Sequence, residues 1–294
     1  MRTNNAPSLR NIPAVERLLA QETRFTYGPV PCELGGVTVE DGCHRLSGDA
    51  FLLRTGMGLN YFYRKGEGIT IEHVSNCDPR DEALWLNGSV YAAVASINGF
   101  KPIHASAVAH GGKVFAFSGP SGAGKSTLIA ALGARGFPMF CDDTLVLDLS
   151  VSGAIVCLPG HKRLKLTEEA LALTGTAREE KVAATIDKFY AQPRAVHVGT
   201  SLPLAGLVFL EEGPETLLKP LIGAQRFAYL NEDHYTSHLF VQAQKIDRAG
   251  LFAIQARMAS QIEMARLVRP RDVSCFAQSV TLAAEYVMRQ RTGP

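Results

Sequence analysis

Residues 115–144 read FAFSGPSGAGKSTLIAALGARGFPMFCDDT, and this stretch decides how the chain folds. Gly119-Pro120-Ser121-Gly122-Ala123-Gly124-Lys125-Ser126 fits the phosphate-loop pattern G-x-x-x-x-G-K-[ST] without a mismatch. The apolar run KVFAFS before it reads as a buried strand, and KSTLIAALGAR after it reads as a helix stopped by Gly136. Strand, glycine loop and helix in that order are the context in which such a motif binds phosphate. Small residues let backbone N–H groups converge on the phosphate oxygens, and the helix N-terminus adds partial positive charge. The pattern assigns residues 119–127, ending at Thr127, to the phosphates, with Lys125 on the β- and γ-phosphates and the Ser126 hydroxyl on Mg²⁺. Downstream, FPMFC reads as a short strand returning beside the loop and delivering Asp142 and Asp143. One aspartate suffices for a metal, and a second near the γ-phosphate suits proton acceptance from a substrate hydroxyl. A solvated Asx turn is the plainer reading of the same pair.

Outward from the loop, TLVLDL and AIVCLP read as a hairpin across SVSG, and LAGLVFLEE as another buried strand. Thr167 is positioned to cap a short helix, TEEALALTG. LFAIQARMASQIEMARLV and VSCFAQSVTLAAEYVMRQ read as two closing helices. Upstream, short apolar runs between residues 24 and 75 are punctuated by Gly, Asp and Asn as strands and turns are. Residues 81–98 carry helical spacing, with Gly99 as the stop. The division expected is a small β-rich unit with its linking helix over residues 1–100 and a catalytic unit over 101–294.

The composition sets bounds on partners. A net charge of +2 over 294 residues provides no whole-molecule field for nucleic acid, so none is expected as a partner. Cys32, Cys43, Cys77, Cys141, Cys157 and Cys275 form no C-x-x-C pair, which predicts reduced thiols. No segment has the length and apolarity of a membrane span or a secretory leader, so a cytoplasmic protein without a membrane partner is expected.

The stretch IHASAVAHGGKVFAFSGPSGAGKSTLIAALGARGFPMFCDDTLVL, residues 103–147, resembles the catalytic core of HPr kinase/phosphorylase and HPr kinase-like proteins. Looser similarity extends to LPGHKRLKLTEEAL and SLPLAGLVFLEE. The resemblance implies an α/β fold with a phosphoenolpyruvate carboxykinase/HPr kinase-like P-loop core, using ATP and Mg²⁺ to phosphorylate a serine hydroxyl. It further implies Asp142 as proton acceptor, Asp143 as the metal's carboxylate beside Ser126, and His104 and Lys125 near the reacting phosphate. The E-x-R-G-x-G stretch of the bifunctional enzymes has no counterpart near Pro203–Leu207, which implies a kinase without the reverse activity. The β-rich N-terminal unit is similar to stand-alone members, among them kinases of the terminal serine of lasso-peptide precursors. A peptide or small protein carrying a serine is thus the partner implied, and a homo-oligomer stays open. An HPr(Ser) kinase, a small-metabolite kinase and a nucleotide-dependent switch ATPase remain alternatives.

Other candidates carry less. His104 taken alone reads equally as a satisfied histidine at a strand end. His234 and His238 stand at i, i+4, but the Glu of H-E-x-x-H is missing. Lys162, Arg163 and Lys165 face either an anionic ligand or solvent. Lys188 and Arg194 suit a surface loop as well as a phosphate contact.

Overall fold

The computed structural model describes residues 12–74, 77–160, 163–183, 186–193, 198–231 and 235–289. Among these, nine strands form the central sheet. At its middle, Lys113–Ser118 pairs antiparallel with Ala105–His110 and parallel with Leu202–Glu212. Glu263–Arg269 adds a further parallel neighbour to Leu202–Glu212, in register from Gly206 opposite Glu263. Met139–Cys141 pairs with Ala105–His110, so its carboxyl end also reaches the edge where Lys113–Ser118 ends. Four parallel strands thus end together. In open α/β sheets that carboxyl edge is where ligands bind.

The period-2 alternation of these strands separates two cores. Phe115 and Phe117 face one side with Val208 and Leu210, packed under Leu128, Ile129 and Leu132 of the helix Lys125–Ala134 and under Ala283 and Val287 of Phe276–Arg289. Val114 and Ala116 face the other side with Leu207 and Phe209, against Phe140, Leu147 and Met258 of the helix Arg248–Gln261. The sheet is covered on both faces, as its continuous apolar strands demand. A three-stranded sheet, Leu164–Leu166, Arg178–Ala183 and Ile186–Ala191, adds Leu164, Leu166 and Phe189 to the first core. The hairpin read at residues 145–158 forms as Leu145–Asp148 against Val156–Leu158.

The N-terminal sheet has five strands among the described residues, ordered Phe25–Tyr27, Gly68–His73, Leu59–Arg64, Ala50–Arg54 and His44–Ser47. Its Phe51, Tyr61 and Ile71 pack on Val90, Ala93 and Val94, and the same cluster takes in Val146, Leu158 and Leu239. The sheet therefore shares a core with the hairpin at residues 145–158 of the central sheet and with the helix Tyr235–Ala243. A helix, Ile12–Glu22, precedes it, and buried Glu22 accepts hydrogen bonds from the Tyr63 hydroxyl (2.7 Å) and the Gly66 amide (2.9 Å).

Two expectations need correction. The segment read as one helix from Leu251 to Val268 ends at Gln261, and Glu263–Arg269 is a strand. Its apolar residues satisfy helical and strand spacing alike, and the ladder to Leu202–Glu212 decides. The helix expected over residues 81–98 is two helices, Pro79–Trp85 and Tyr91–Ile97, joined by a π turn over Leu86–Val90. The sequence there, LNGSV, places Asn and Gly where helix propensity is weak.

Gly206 fixes how closely the last helix approaches the sheet. A Cβ there would lie 2.8 Å from the Tyr286 hydroxyl and 3.0 Å from Phe115 Cδ1. Gly206→Ala is expected to destabilise the protein by roughly 1–3 kcal/mol through overpacking, read from urea denaturation. An unchanged midpoint would contradict this packing.

Candidate active site

The strand Lys113–Ser118 leads into the glycine loop, and Gly124 stands as N-cap of Lys125–Ala134. Gly124 has φ +83°, and any Cβ on it would collide with the Arg269 guanidinium. No described side chain caps this helix, and the first helical bond runs from the Leu128 amide to the Gly124 carbonyl (3.0 Å). The amides of residues 125–127 therefore lack intrahelical acceptors at the positive end of the helix dipole. Lys125 is buried, and its Nζ donates to the carbonyls of Gly119 (2.7 Å) and Pro120 (3.1 Å), curling over the loop.

Asp142, 3% exposed, is the most enclosed acid of the site. Its Oδ1 accepts from the hydroxyls of Ser106 (2.6 Å) and Ser126 (2.8 Å), and its Oδ2 from the Lys165 amide (3.2 Å). These donors come from three elements: Ala105–His110, the loop helix, and Leu164–Leu166. Burial, reinforced by the adjacent Asp143 carboxylate, pushes the Asp142 carboxyl above the ordinary carboxylate range.

Asp143 turns the other way. Its φ of +71° is left-handed, a conformation that costs an ordinary residue about 1–2 kcal/mol and that aspartate tolerates better than most. The carboxylate lies 3.0 Å from Lys165 Nζ and 3.4 Å from His104 Nδ1, while His104 Nδ1 is also 3.0 Å from the Asp143 carbonyl. His104 is held at this edge because its own carbonyl accepts from the Ser118 hydroxyl (3.0 Å). Burial would raise the Asp143 pKa, but the Lys165 and His104 charges outweigh it and hold the group below its ordinary value. Lys165 responds in kind: burial would lower its pKa, yet Asp143 carries it above the usual lysine value.

The phosphate loop, Lys125, Ser126, Asp142, Asp143 and His104 are thus assembled at one carboxyl edge, with Pro120–Gly124 and Thr127 bordering an adjoining cleft. Their pairing differs from the sequence expectation in one respect. Ser126, expected to share a metal with Asp143, donates to Asp142. Of the lesser candidates, Lys165 joins the site, whereas Arg163 pairs with Glu179 and Glu180 at 2.6 and 2.7 Å. Lys188 lies on the strand Ile186–Ala191, and His238 lies exposed on the helix Tyr235–Ala243. Lys162, Arg194 and His234 lie outside the described residues. The described residues contain no cluster of three or more His, Cys, Asp or Glu suited to a metal; the His234–His238 pair falls partly outside them. All six cysteines carry free thiols. No helix among the described residues is long and apolar enough to cross a membrane.

Sequence reading missed Ser106 and Arg269. Ser106 had a usable signal two residues after His104, on the strand antiparallel to the one feeding the loop. Arg269 had none. From the end of Glu263–Arg269 it donates to the Ala123 carbonyl within the loop (2.6 Å) and lies over the Phe276 ring at 5.7 Å. Burial draws its pKa below the usual arginine value.

No family model matches the chain, and no curated protein matches it. Among solved structures it is similar to the Hpr(Ser) kinase/phosphatase from Coxiella burnetii, at 14% identity and a TM-score of 0.34, over 65% of this chain and 99% of that one.

The brace from Arg269 to the loop is open to test. Arg269→Met leaves the Ala123 carbonyl without this donor, an expected loss of about 1–3 kcal/mol in thermal or urea unfolding. Hydrogen exchange should accelerate at the loop amides 119–127 and not in the strand Lys113–Ser118. Unchanged loop exchange would show that the contact does not hold the loop.

Proposed function

We propose that this protein is a Mg²⁺-ATP-dependent kinase that transfers the γ-phosphoryl group to a serine hydroxyl of a peptide or small protein. The observation that carries the reading is the contact of the loop hydroxyl of Ser126 with Asp142, beside an uncapped helix start and a buried lysine. One carboxylate and one hydroxyl form the sparse donor set that Mg²⁺ uses when nucleotide phosphates complete its shell. Ser126 and Asp142 fit that role together, and Mg²⁺ held there would neutralise charge on the β- and γ-phosphates.

Roles then divide by environment. Asp142 has its lone pairs directed at Ser106, Ser126 and the Lys165 amide, which suits a fixed carboxylate beside the loop. The raised Asp142 pKa argues by itself for a proton acceptor, but geometry takes precedence, because a neighbouring dication inverts the local pKa order. Asp143 is 36% exposed and stays ionised beside Lys165 and His104, so it is the carboxylate able to meet an incoming hydroxyl. We therefore exchange the sequence-based roles of the two aspartates: Asp142 with the metal, Asp143 with the acceptor's proton. Lys125 and Lys165 offset the negative charge that gathers between phosphate and carboxylates.

Serine as the acceptor, and the C-terminal serine of a lasso-peptide precursor as its narrowest form, are supported by the resemblance over residues 103–147 and by the β-rich N-terminal unit. The test is incubation with γ-labelled ATP and candidate acceptors, HPr included, followed by mass spectrometry. Label is expected on a peptide serine and abolished by Lys125→Ala. Asp143→Asn is expected to slow transfer by ~10²-fold or more at unchanged ATP affinity, the loss typical of a removed proton acceptor. Asp142→Asn should chiefly raise the Mg²⁺ requirement. Label on a metabolite or on HPr, or release of phosphate without any acceptor, would replace the peptide reading.

A further inference from the structure

A second, smaller cavity of about 160 Å³ meets the site at Asp142, and part of its lining comes from outside the phosphate-loop core. Asn87 belongs to the π turn Leu86–Val90, and Tyr91 opens the helix that follows it. These two stand four residues apart, on one face of the helical segment that joins the N-terminal sheet to the central one. π turns recur at functional sites. The other lining residues are Thr144, which precedes the strand Leu145–Asp148, and Pro159 and Gly160, which continue Val156–Leu158. Gly160 packs directly on the acid pair's strand: a Cβ on it would lie 2.7 Å from the Cys141 Cβ and 3.3 Å from the Thr144 carbonyl oxygen. Asp142 and Thr144 flank Asp143, so the cavity abuts the turn that carries the proposed proton acceptor.

The polar groups of this cavity are unequally engaged. Asp142 already accepts from Ser106, Ser126 and the Lys165 amide. Among the described residues, by contrast, no hydrogen bond engages the Asn87 amide, the Tyr91 hydroxyl or the Thr144 hydroxyl. Thr144 is 4% exposed, and Asn87 and Tyr91 are half-buried. Burial pushes the Tyr91 phenol above its ordinary pKa, which keeps it a neutral donor. Buried polar groups are nearly always paired, so three of them at one cavity point to a partner that enters it. Two hydroxyls and an amide can donate together to one planar carbon–oxygen group. Asp142 is the one charged residue of the lining, which disfavours a second phosphate there. The volume is below the ~300–1,000 Å³ of sites for drug-sized molecules and suits one small residue.

Resting on the kinase reading, we infer that this cavity seats the acceptor's serine residue by its main chain, its carbonyl or terminal carboxylate receiving the donors of Asn87, Tyr91 and Thr144. A residue held there lies against the turn of Asp143. Asn87 and Tyr91 are positioning residues for the acceptor, and the segment after the N-terminal sheet takes part in choosing it.

The test is saturation-transfer NMR of the full chain with Mg²⁺ and a non-hydrolysable ATP analogue, with N-acetylserine, N-acetylserinamide and N-acetyltryptophanamide as probes. It compares the parent protein with Asn87→Leu, Tyr91→Phe and Lys125→Ala, and nucleotide affinity is measured calorimetrically on each. At least one serine probe is expected to bind and the tryptophan probe is not; binding of the free acid alone identifies a terminal carboxylate, and binding of the amide a chain carbonyl. Asn87→Leu and Tyr91→Phe are each expected to weaken serine-probe binding ~10-fold or more, the loss of one well-made hydrogen bond, at the parent's nucleotide affinity, which also reports an intact fold. No binding of either serine probe, equal binding of the tryptophan probe, binding unchanged in both variants, or nucleotide affinity lost along with it would overturn the acceptor seat while leaving the phosphate loop in place. A parent protein that binds no nucleotide, or a nucleotide affinity unchanged in Lys125→Ala, would instead overturn the kinase reading and this inference with it.

Discussion

The burial of the Asp142 carboxylate is the constraint on which the site depends. Placing a carboxylate in the interior costs several kcal/mol unless donors surround it, so the chain must bring those donors from wherever they lie in sequence. They arrive from Ser106, 36 residues upstream, Ser126, 16 upstream, and the Lys165 amide, 23 downstream. Satisfying one buried acid therefore fixes the antiparallel neighbour of the loop strand, the first turn of the loop helix and the edge of the three-stranded sheet relative to one another. The loop hydroxyl is held in place by the same hydrogen bonds that make the acid tolerable.

Two carboxylates adjacent in sequence end in opposite electrostatic states because the backbone separates them. The left-handed turn at Asp143 directs its side chain to Lys165 and His104, while Asp142 points into the knot of hydroxyls. Burial and its neighbour raise one pKa, and cations lower the other. Such a divergence within one pair is how sites separate the tasks of adjacent acids. The parallel strand ends supply the remainder: Ser118 runs into the loop, and Arg269 reaches across to brace it.

The loop, its flanking strand and helix, and the acid pair were legible in sequence because the motif is local and its spacing is set by backbone geometry. The hairpin at residues 145–158 was legible for the same reason. What escaped was non-local. Glu263–Arg269 passes for helix because Ile262, Met264, Leu267 and Val268 suit either period, and only its ladder with Leu202–Glu212 makes it a strand. Arg269 reaches a carbonyl 146 residues away, a pairing that no window of sequence contains. The pairing of Ser126 with Asp142 rather than Asp143 turned on one backbone torsion, which a D-D dipeptide does not announce. The helix Ile12–Glu22 was missed because much of its stabilisation comes from contacts outside itself, such as Glu22 with Tyr63 and Leu19 in the shared core.

The claim at the centre of this account is that Ser126 and Asp142 act as one unit toward a nucleotide-bound dication. Electron paramagnetic resonance of Mn²⁺, standing in for Mg²⁺, measures it directly in the presence of ATP across Ser126→Ala, Asp142→Asn, their double variant and Asp143→Asn. The account predicts that each single change weakens Mn²⁺ binding and that the double variant is scarcely worse than the weaker single, a coupling expected of groups sharing one ligand. Strictly additive losses, or a loss seen only on Asp143→Asn, would contradict it.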